Sequence, residues 1–268
     1  MNTQTKMWRN IGEMENIGID ATITAKPVVT DNFTWTTSLN IGWNKNKITK
    51  LQGEGVSSAL QAEGLGDTGN TGLQYFIVGK PAFTYLVYEQ VYDKNGDPIE
   101  GVFVDQDANG IIDENDKIMY HSRDPKVTMA WNNSFSWKNW DLSIQLRASI
   151  GNYVYNSMKY NSTNGYSAKM PAYNLSNLLD DTYIFMNGNT NNKLSNYFVE
   201  NASFLRCDNI TLGYTFQKDW GSLRIFGAVQ NPFLITKYSG VDPEVFSGID
   251  KSPYPRPITT TLGVVLNL

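Results

Sequence analysis

In 268 residues there is one cysteine, Cys207, and one histidine, His121. A lone thiol excludes a disulfide framework, and a lone imidazole excludes a His-rich zinc centre. Long hydrophobic runs are missing as well. No stretch of Ala, Val, Ile, Leu, Met, Phe, Trp, Tyr and Cys exceeds four residues, as in Tyr75 to Val78. A membrane-crossing helix takes about 20 predominantly apolar residues, so helical insertion is excluded. Charge is sparse, at 18% of residues, and 22 basic against 26 acidic residues leave −4. That balance excludes the concentrated basic footprint of a nucleic-acid binder. The opening MNTQTKMWRNI lacks the apolar stretch of about 7–15 residues, with basic and small-residue flanks, that a secretory signal needs. Two readings follow: a protein that stays inside the cell, or a piece of a longer chain. With 41% hydrophobic and 13% aromatic residues the chain is too apolar for disorder.

What is present is alternation of period two, which places every second side chain on one face of a strand. Phe33, Trp35, Thr37, Leu39, Ile41 and Trp43 alternate with Thr34, Thr36, Ser38, Asn40, Gly42 and Asn44. Ile17, Ile19, Ala21, Ile23 and Ala25 precede them with the same pattern. Val127, Met129, Trp131, Phe135 and Trp137 form a third set, and Trp140, Leu142, Ile144, Leu146, Ala148 and Ile150 a fourth. Shorter sets run from Ile210 to Phe216, from Leu223 to Val229 and from Leu262 to Leu268. Strands in a soluble sandwich average about 5–6 residues, whereas a membrane barrel needs about 9–11 per span with aromatics at both interfaces. The long alternation, with Phe33, Trp43, Trp137 and Trp140 near its ends, favours an all-β, antiparallel transmembrane barrel. The rival is a secreted, soluble β-sandwich that binds carbohydrate with calcium.

Connection lengths support the barrel. Such barrels alternate short periplasmic turns with long outer loops. Working back from Leu268, the links 231–258, 217–221, 151–203, 138–139, 45–126 and 26–32 are long, short, long, short, very long and short. That predicts seven spanning strands and three long extracellular loops, with the apolar stretch 73–92 held as a non-spanning hairpin inside 45–126. Seven is odd and below the minimum of about eight strands for a self-contained bacterial barrel. Parity therefore supports the fragment reading.

Three stretches carry a resemblance. They are NIGIDATITAKPVVTDNFTWTTSLNIGWNKNKITKL from Asn16, YFVENASFLRCDNITLGYTF from Tyr197 and VQNPFLITKYSGVDPEV from Val229. The last is the most specific, with Gln230-Asn231, then Thr236-Lys237-Tyr238-Ser239-Gly240, then Asp242-Pro243-Glu244. Together they resemble the late barrel region of the SusC/RagA family of TonB-dependent transporters. The resemblance implies a barrel of about 22 strands around a plug in the outer membrane of a Gram-negative, Bacteroidetes-like cell, with outer-membrane lipid around it. It implies import of a large nutrient, an oligosaccharide or a peptide, driven through the TonB complex, beneath a SusD-like surface lipoprotein that acts as a lid. It also implies that 1–268 is a C-terminal barrel segment, with plug, TonB-contacting region and earlier strands outside it. One departure is the final residue: family members usually end in an aromatic, and here it is Leu268.

The sharpest local motif runs from Asp105 to Asp116 and fits a calcium loop of the EF-hand type. Asp105, Asp107, Asn109, Asp113 and Asp116 would offer side-chain oxygens and Ile111 its carbonyl, with Gly110 allowing the sharp bend. Asp116 at the last position, in place of Glu, shortens the bidentate reach and predicts weak Ca²⁺ binding. The same residues also favour a metal-free turn. Asp93-Lys94-Asn95-Gly96-Asp97 reads as a tight hairpin turn. Asp242-Pro243-Glu244 reads as a structural loop, since sequence-adjacent carboxylates rarely face one substrate bond. His121 reads as an exposed loop residue without a nucleophile context, Cys207 as a small packed side chain, and the chain as no enzyme. Gly64, Gly66, Gly69 and Gly72 read as a flexible loop. Tyr153, Tyr155, Tyr160, Tyr166 and Tyr173 have flat faces suited to a sugar or peptide, or to loop packing and contact with the lid. Packing or lid contact is the favoured of the two.

Overall fold

The computed structural model describes residues 10–52, 59–66, 71–163, 190–251 and 254–268. The first eight strands are β1 (Gly12–Val29), β2 (Phe33–Leu51), β3 (Ala59–Gly64), β4 (Gly72–Ile77), β5 (Thr84–Tyr88), β6 (Gln90–Tyr92), β7 (Pro98–Phe103) and β8 (Lys117–Ser122). The rest are β9 (Val127–Trp137), β10 (Trp140–Ile150), β11 (Tyr153–Asn156), β12 (Val199–Asn201), β13 (Phe204–Lys218), β14 (Gly221–Thr236), β15 (Ile249–Asp250) and β16 (Thr259–Asn267). None of the described helices is long and apolar enough to cross a membrane.

The seven segments of long alternation form one sheet in the order β1-β2-β9-β10-β13-β14-β16. Chain order and sheet order agree: three short turns deliver β2, β10 and β14 beside the strand before them, and each long link returns the chain to the next place in the sheet. The pairings Phe33↔Trp137, Trp137↔Trp140, Trp140↔Tyr214, Tyr214↔Ile225 and Ile225↔Val264 make one row across six strands. This row lies beside the short connections, and rings cluster there: Trp140 and Tyr214 meet edge-on at 4.8 Å, as do Tyr214 and Phe216 at 4.6 Å. The opposite ends pair as Trp43↔Val127, Val127↔Ile150, Ser149↔Phe204 and Phe204↔Thr236. The chain leaves the sheet for its three long links at that end, as the parity of link lengths predicts.

One face is mostly apolar and the other mostly polar, and two polar side chains in the apolar rows, Asn133 and Thr37, are satisfied locally. Asn133 falls in the apolar row of β9, and its Oδ1 accepts a 3.1 Å hydrogen bond from Trp35 Nε1. Trp131 Nε1 donates to Thr37 Oγ1 at 2.8 Å. Both indole N–H groups thus find partners without water, as a face turned to lipid requires.

Strand limits differ from the sequence reading where a bulge intervenes. The expected link at Asn231 begins only after Thr236, whereas β13 starts at Phe204, where the link 151–203 ends, although its clean alternation begins only at Ile210. Between the pairs Cys207↔Phe233 and Asn209↔Gln230, Asp208 faces two residues, Asn231 and Pro232. Proline has no N–H for the ladder, so a bulge is where a strand can hold it. The alternation breaks there while the pairing continues. β2 likewise runs on to Leu51.

The β13–β14 turn depends on Gly221, whose φ of +142° suits glycine and whose missing Cβ leaves room for the Asn267 backbone of β16. Gly221→Ala must therefore displace the end of β16. We expect a loss of about 1–3 kcal/mol, read, in a full-length barrel that carries these residues, as a smaller heat-modifiable, folded fraction on gels.

The chain divides into two compact units. One comprises Met1–Ile17, Lys45–Asp124 and Thr163–Phe198. Within it, sheet β3-β4-β5-β8 holds the expected hairpin over 73–92: β4 and β5 pair at Gln74↔Tyr85 and take no part in the seven-stranded sheet. Leu73, Tyr85, Val87, Phe103, Leu194 and Phe198 are buried there. The residues 192–198 come from the second long link and are held by polar contacts. Ser195 Oγ donates to Gln90 Oε1 at 2.8 Å, and Gln90 N donates to Asn196 Oδ1 at 3.0 Å. The other unit comprises Gly18–Asn44, Pro125–Ser162 and Val199–Leu268. It adds a small sheet, β12-β11-β15, beside a buried cluster of Val154, Ala202 and Tyr238 with Val245 against it.

Candidate functional site

The polar face of β10 presents Asp141, Ser143, Gln145, Arg147 and Ser149. Near the end with long links, Arg147 pairs directly with Arg206 of β13. Like charges in direct register repel, and three carboxylates answer them. Arg147 Nε donates to Asp208 Oδ2 at 2.9 Å and Nη2 to Asp208 Oδ1 at 3.1 Å. Its Nη1 donates to Glu244 Oε1, and Nη2 also reaches Glu244 Oε2 at 3.2 Å. Arg206 Nη2 donates to Asp242 Oδ1 at 2.7 Å. Arg256 closes the set, with Nε 3.0 Å from Asp242 Oδ2 and Nη2 2.8 Å from Glu244 Oε2. Both carboxylates of the stretch Asp242-Pro243-Glu244 are thus engaged by arginines.

Further along the same face Arg224 of β14 reaches over β13 to Asp141 of β10, with Nε 3.0 Å from Oδ1 and Nη2 2.5 Å from Oδ2. The residue between them is Gly213, where a Cβ would stand 2.5 Å from Asp141 Oδ1 and 2.6 Å from Arg224 Nη2. Gly213→Ala pushes the flexible ends of this pair apart. The pair is part-exposed, so the expected cost is small, about 0.5–1 kcal/mol, measured as a slight drop in the unfolding midpoint.

The Asp105 loop connects β7 to β8. Carboxylate oxygens of Asp105, Asp107 and Asp116 lie within 4.8 Å of one another. Asp116 is fully buried and accepts from Gln106 N and Asp113 N, each at 2.7 Å. Asp105 accepts from Gly110 N at 2.7 Å, which holds its carboxyl below the usual range. Asp107 is pushed up by desolvation and by its acidic neighbours Asp105 and Asp116. Asn109 Oδ1 accepts from Ile111 N at 2.7 Å, and Asp113 caps a short 3-10 turn by accepting from Asn115 N at 2.8 Å. Of the expected ligands, the three acidic residues Asp105, Asp107 and Asp116 converge, while Asn109 and Asp113 each accept a backbone N–H within the loop. The donor set of hard oxygens fits Ca²⁺ better than a softer metal.

The remaining expected residues sort by burial. Tyr155 is fully buried, a packing role, while Tyr153 and Tyr160 are half-buried. Tyr166, Tyr173 and Gly69 lie outside the described residues. His121 is exposed but sits in strand β8, not in a loop, with its ring 4.4 Å from that of Tyr120. Cys207 is buried. The Asp93 turn is a hairpin tip, with Asp93 Oδ1 accepting from Asn95 N and Asp97 N at 2.8 and 2.9 Å. Sequence reasoning missed Arg147, Arg206 and Arg256. Its available signal was that Arg147 is the sole basic residue of its strand.

No protein-family profile matches the chain. The TonB-dependent receptor SusC of Bacteroides thetaiotaomicron is 44% identical over 275 aligned residues, which take in 99% of this chain. The chain belongs to the SusC/RagA family. It spans only 27% of that receptor's length. The TonB-dependent receptor P3 of Formosa agariphila is 26% identical over 96% of the chain, which covers 29% of that protein. Among solved structures, the RagAB peptide transporter superposes with a TM-score of 0.72 at 22% identity, covering 96% of this chain and 30% of that one. The RagAB peptide importer in its open-open state gives 0.73 at 21% identity, covering 97% of this chain and 29% of that one. The seven-stranded sheet is therefore a section of a SusC-like β-barrel wall. In such a barrel the alternating apolar face meets lipid and the polar face, with its arginine–carboxylate set, turns to the lumen.

Proposed function

We propose that this chain builds part of the wall of a TonB-dependent importer of large nutrients, a glycan or a peptide, in a Gram-negative, Bacteroidetes-like outer membrane. The observation that carries the reading is the two-faced sheet of seven long strands, apolar outward and polar inward, in a chain 44% identical to SusC. Its long links leave from one end and face the substrate and a SusD-like surface lipoprotein. The TonB complex acts through a plug contributed from outside these residues. The role is transport, not catalysis, in keeping with relatives named receptors and, for RagAB, a peptide transporter. The test is a chimera in which these residues replace the matching segment of SusC. We expect it to assemble and to support uptake of oligosaccharides or peptides that stops when the proton-motive force is collapsed. A chimera that assembles normally and imports neither would refute the reading.

The Asp105 loop is proposed as a weak Ca²⁺ site of the same protein, favoured by the three converging carboxylates. Asp105, Asp107 and Asp116 would hold the ion, which would order the β7–β8 connection. Millimolar Ca²⁺ should protect 105–116 from proteolysis, and Asp105→Ala should abolish the protection. Because the Asp107 carboxyl is pushed up, protons compete for it at higher pH than for an ordinary aspartate. Protection should therefore be lost on acidification at a higher pH than an ordinary aspartate ligand would give. Cleavage that ignores Ca²⁺ leaves the metal-free turn.

A further inference from the structure

We propose that Arg147 and Arg206 form a clamp that keeps the strap, residues 237–251 and 254–258, folded on the polar face of the wall, making the strap a fixed ledge of the transport path and not a moving gate. The inference rests on the barrel-wall reading above. Its first support is charge balance. The wall itself contributes two guanidinium groups, Arg147 and Arg206, against one carboxylate, Asp208, a surplus of +1. Of the strap's charged residues, Asp242, Glu244 and Arg256 enter this cluster and bring it −1. The six groups cancel only with the strap in place. Lifting it leaves two arginines in direct register with a single counter-charge.

Geometry and depth add to this. The Arg147 fork is occupied on both sides, by Asp208 from the strand and Glu244 from the strap. Planar guanidinium groups suit such paired contacts, and a lysine cannot reproduce them. Pro243 fixes one backbone dihedral between the two strap acids, and Asp242 Oδ1 accepts from Glu244 N at 2.9 Å, so both carboxylates are preset. Arg206 and Asp242 side chains are 4% and 8% exposed, which keeps mobile salt from screening them. The strap has a second fastening. Thr236 Oγ1 donates to Ser203 O, Tyr238 Oη donates to Asp250 Oδ2, both at 2.8 Å, and Tyr155 N donates to Gly248 O at 2.8 Å. β15 then pairs parallel with β11. A segment pinned by charge at 242–244 and by backbone at 248–250 has no free end to swing.

Hydrogen exchange on the SusC chimera tests this, with Arg206→Met and the strap-borne Arg256→Gln as variants. In the parent, amides of Glu244, Gly248 and Ile249 should exchange about a thousandfold more slowly than free peptide. Adding a maltooligosaccharide mixture or a tryptic digest of casein should leave that protection unchanged. Arg206→Met should speed exchange over 237–250 by at least about tenfold, and Arg256→Gln by less, while amides 128–136 of β9 stay protected. If Arg206→Met fails to assemble, Arg256→Gln alone decides. Fast exchange of the parent strap, acceleration by either probe, or no acceleration in the variants that assemble overturns the clamp. Loss of protection in β9 of the parent would instead strike the wall reading itself.

Discussion

Expressed with no other barrel component, these 268 residues will associate through their sheet edges and will import nothing. The sheet ends in β1 on one side and β16 on the other. β1 runs for 18 residues and is exposed along its whole length. In an edge strand roughly half of the N–H and C=O groups point outward without a ladder partner. In hydrocarbon each such group costs several kcal/mol, roughly, so the open sheet cannot rest in a bilayer as a monomer. Ile17, Ile19, Ile23, Leu262 and Val264, all more than half exposed, add an apolar surface that water does not tolerate either. Edge-to-edge pairing answers both demands. Sedimentation should find oligomers or aggregate, and cells carrying the polypeptide alone should show no energy-dependent uptake of oligosaccharides or peptides. A monodisperse monomer that transports would remove the barrel-wall reading.

Placing an arginine on the apolar face should be far worse than placing one on the neighbouring polar face. Ile210 sits mid-strand in the row Ile144↔Ile210↔Val229, on the side assigned to lipid. Ser143 lies one residue from Ile144, across the sheet from Thr211, on the side assigned to the lumen. An arginine facing lipid near the bilayer midplane costs about 2–4 kcal/mol, whereas a lumen position stays wet. In the SusC chimera Ile210→Arg should sharply reduce the folded, protease-resistant barrel, and Ser143→Arg should leave it within about 0.5 kcal/mol of the parent. Equal damage from both would mean that the two faces are equally buried, as in a soluble sandwich.

The strands were legible because their cause is local. Alternation from Phe33 to Trp43 or from Trp140 to Ile150 states which side chains share a face, and Lys138-Asn139 states that the two flanking strands are neighbours. The sheet order follows from such steps repeated, and the motif around Asp242 to Glu244 was specific enough to point to the family. The Asp105 loop was partly legible, since Asx and Gly residues turn for reasons held within a few positions. Which of its oxygens converge depended on the buried Asp116 taking two backbone N–H groups, and no spacing rule contains that.

The sequence by itself determined the seven spanning strands, the two-faced wall and the family, because periodicity and turn chemistry act over a few residues. Tertiary structure alone decided what the long links do. Glu244 meets Arg147 across 97 positions and Ser195 meets Gln90 across 105. It also decided that Asp208 opposite Asn231 and Pro232 would be absorbed as a bulge and not end the strand. Contacts of that range depend on where each chain segment is delivered in space. A charge or an amide acquires its partner only once the sheet has brought the two together.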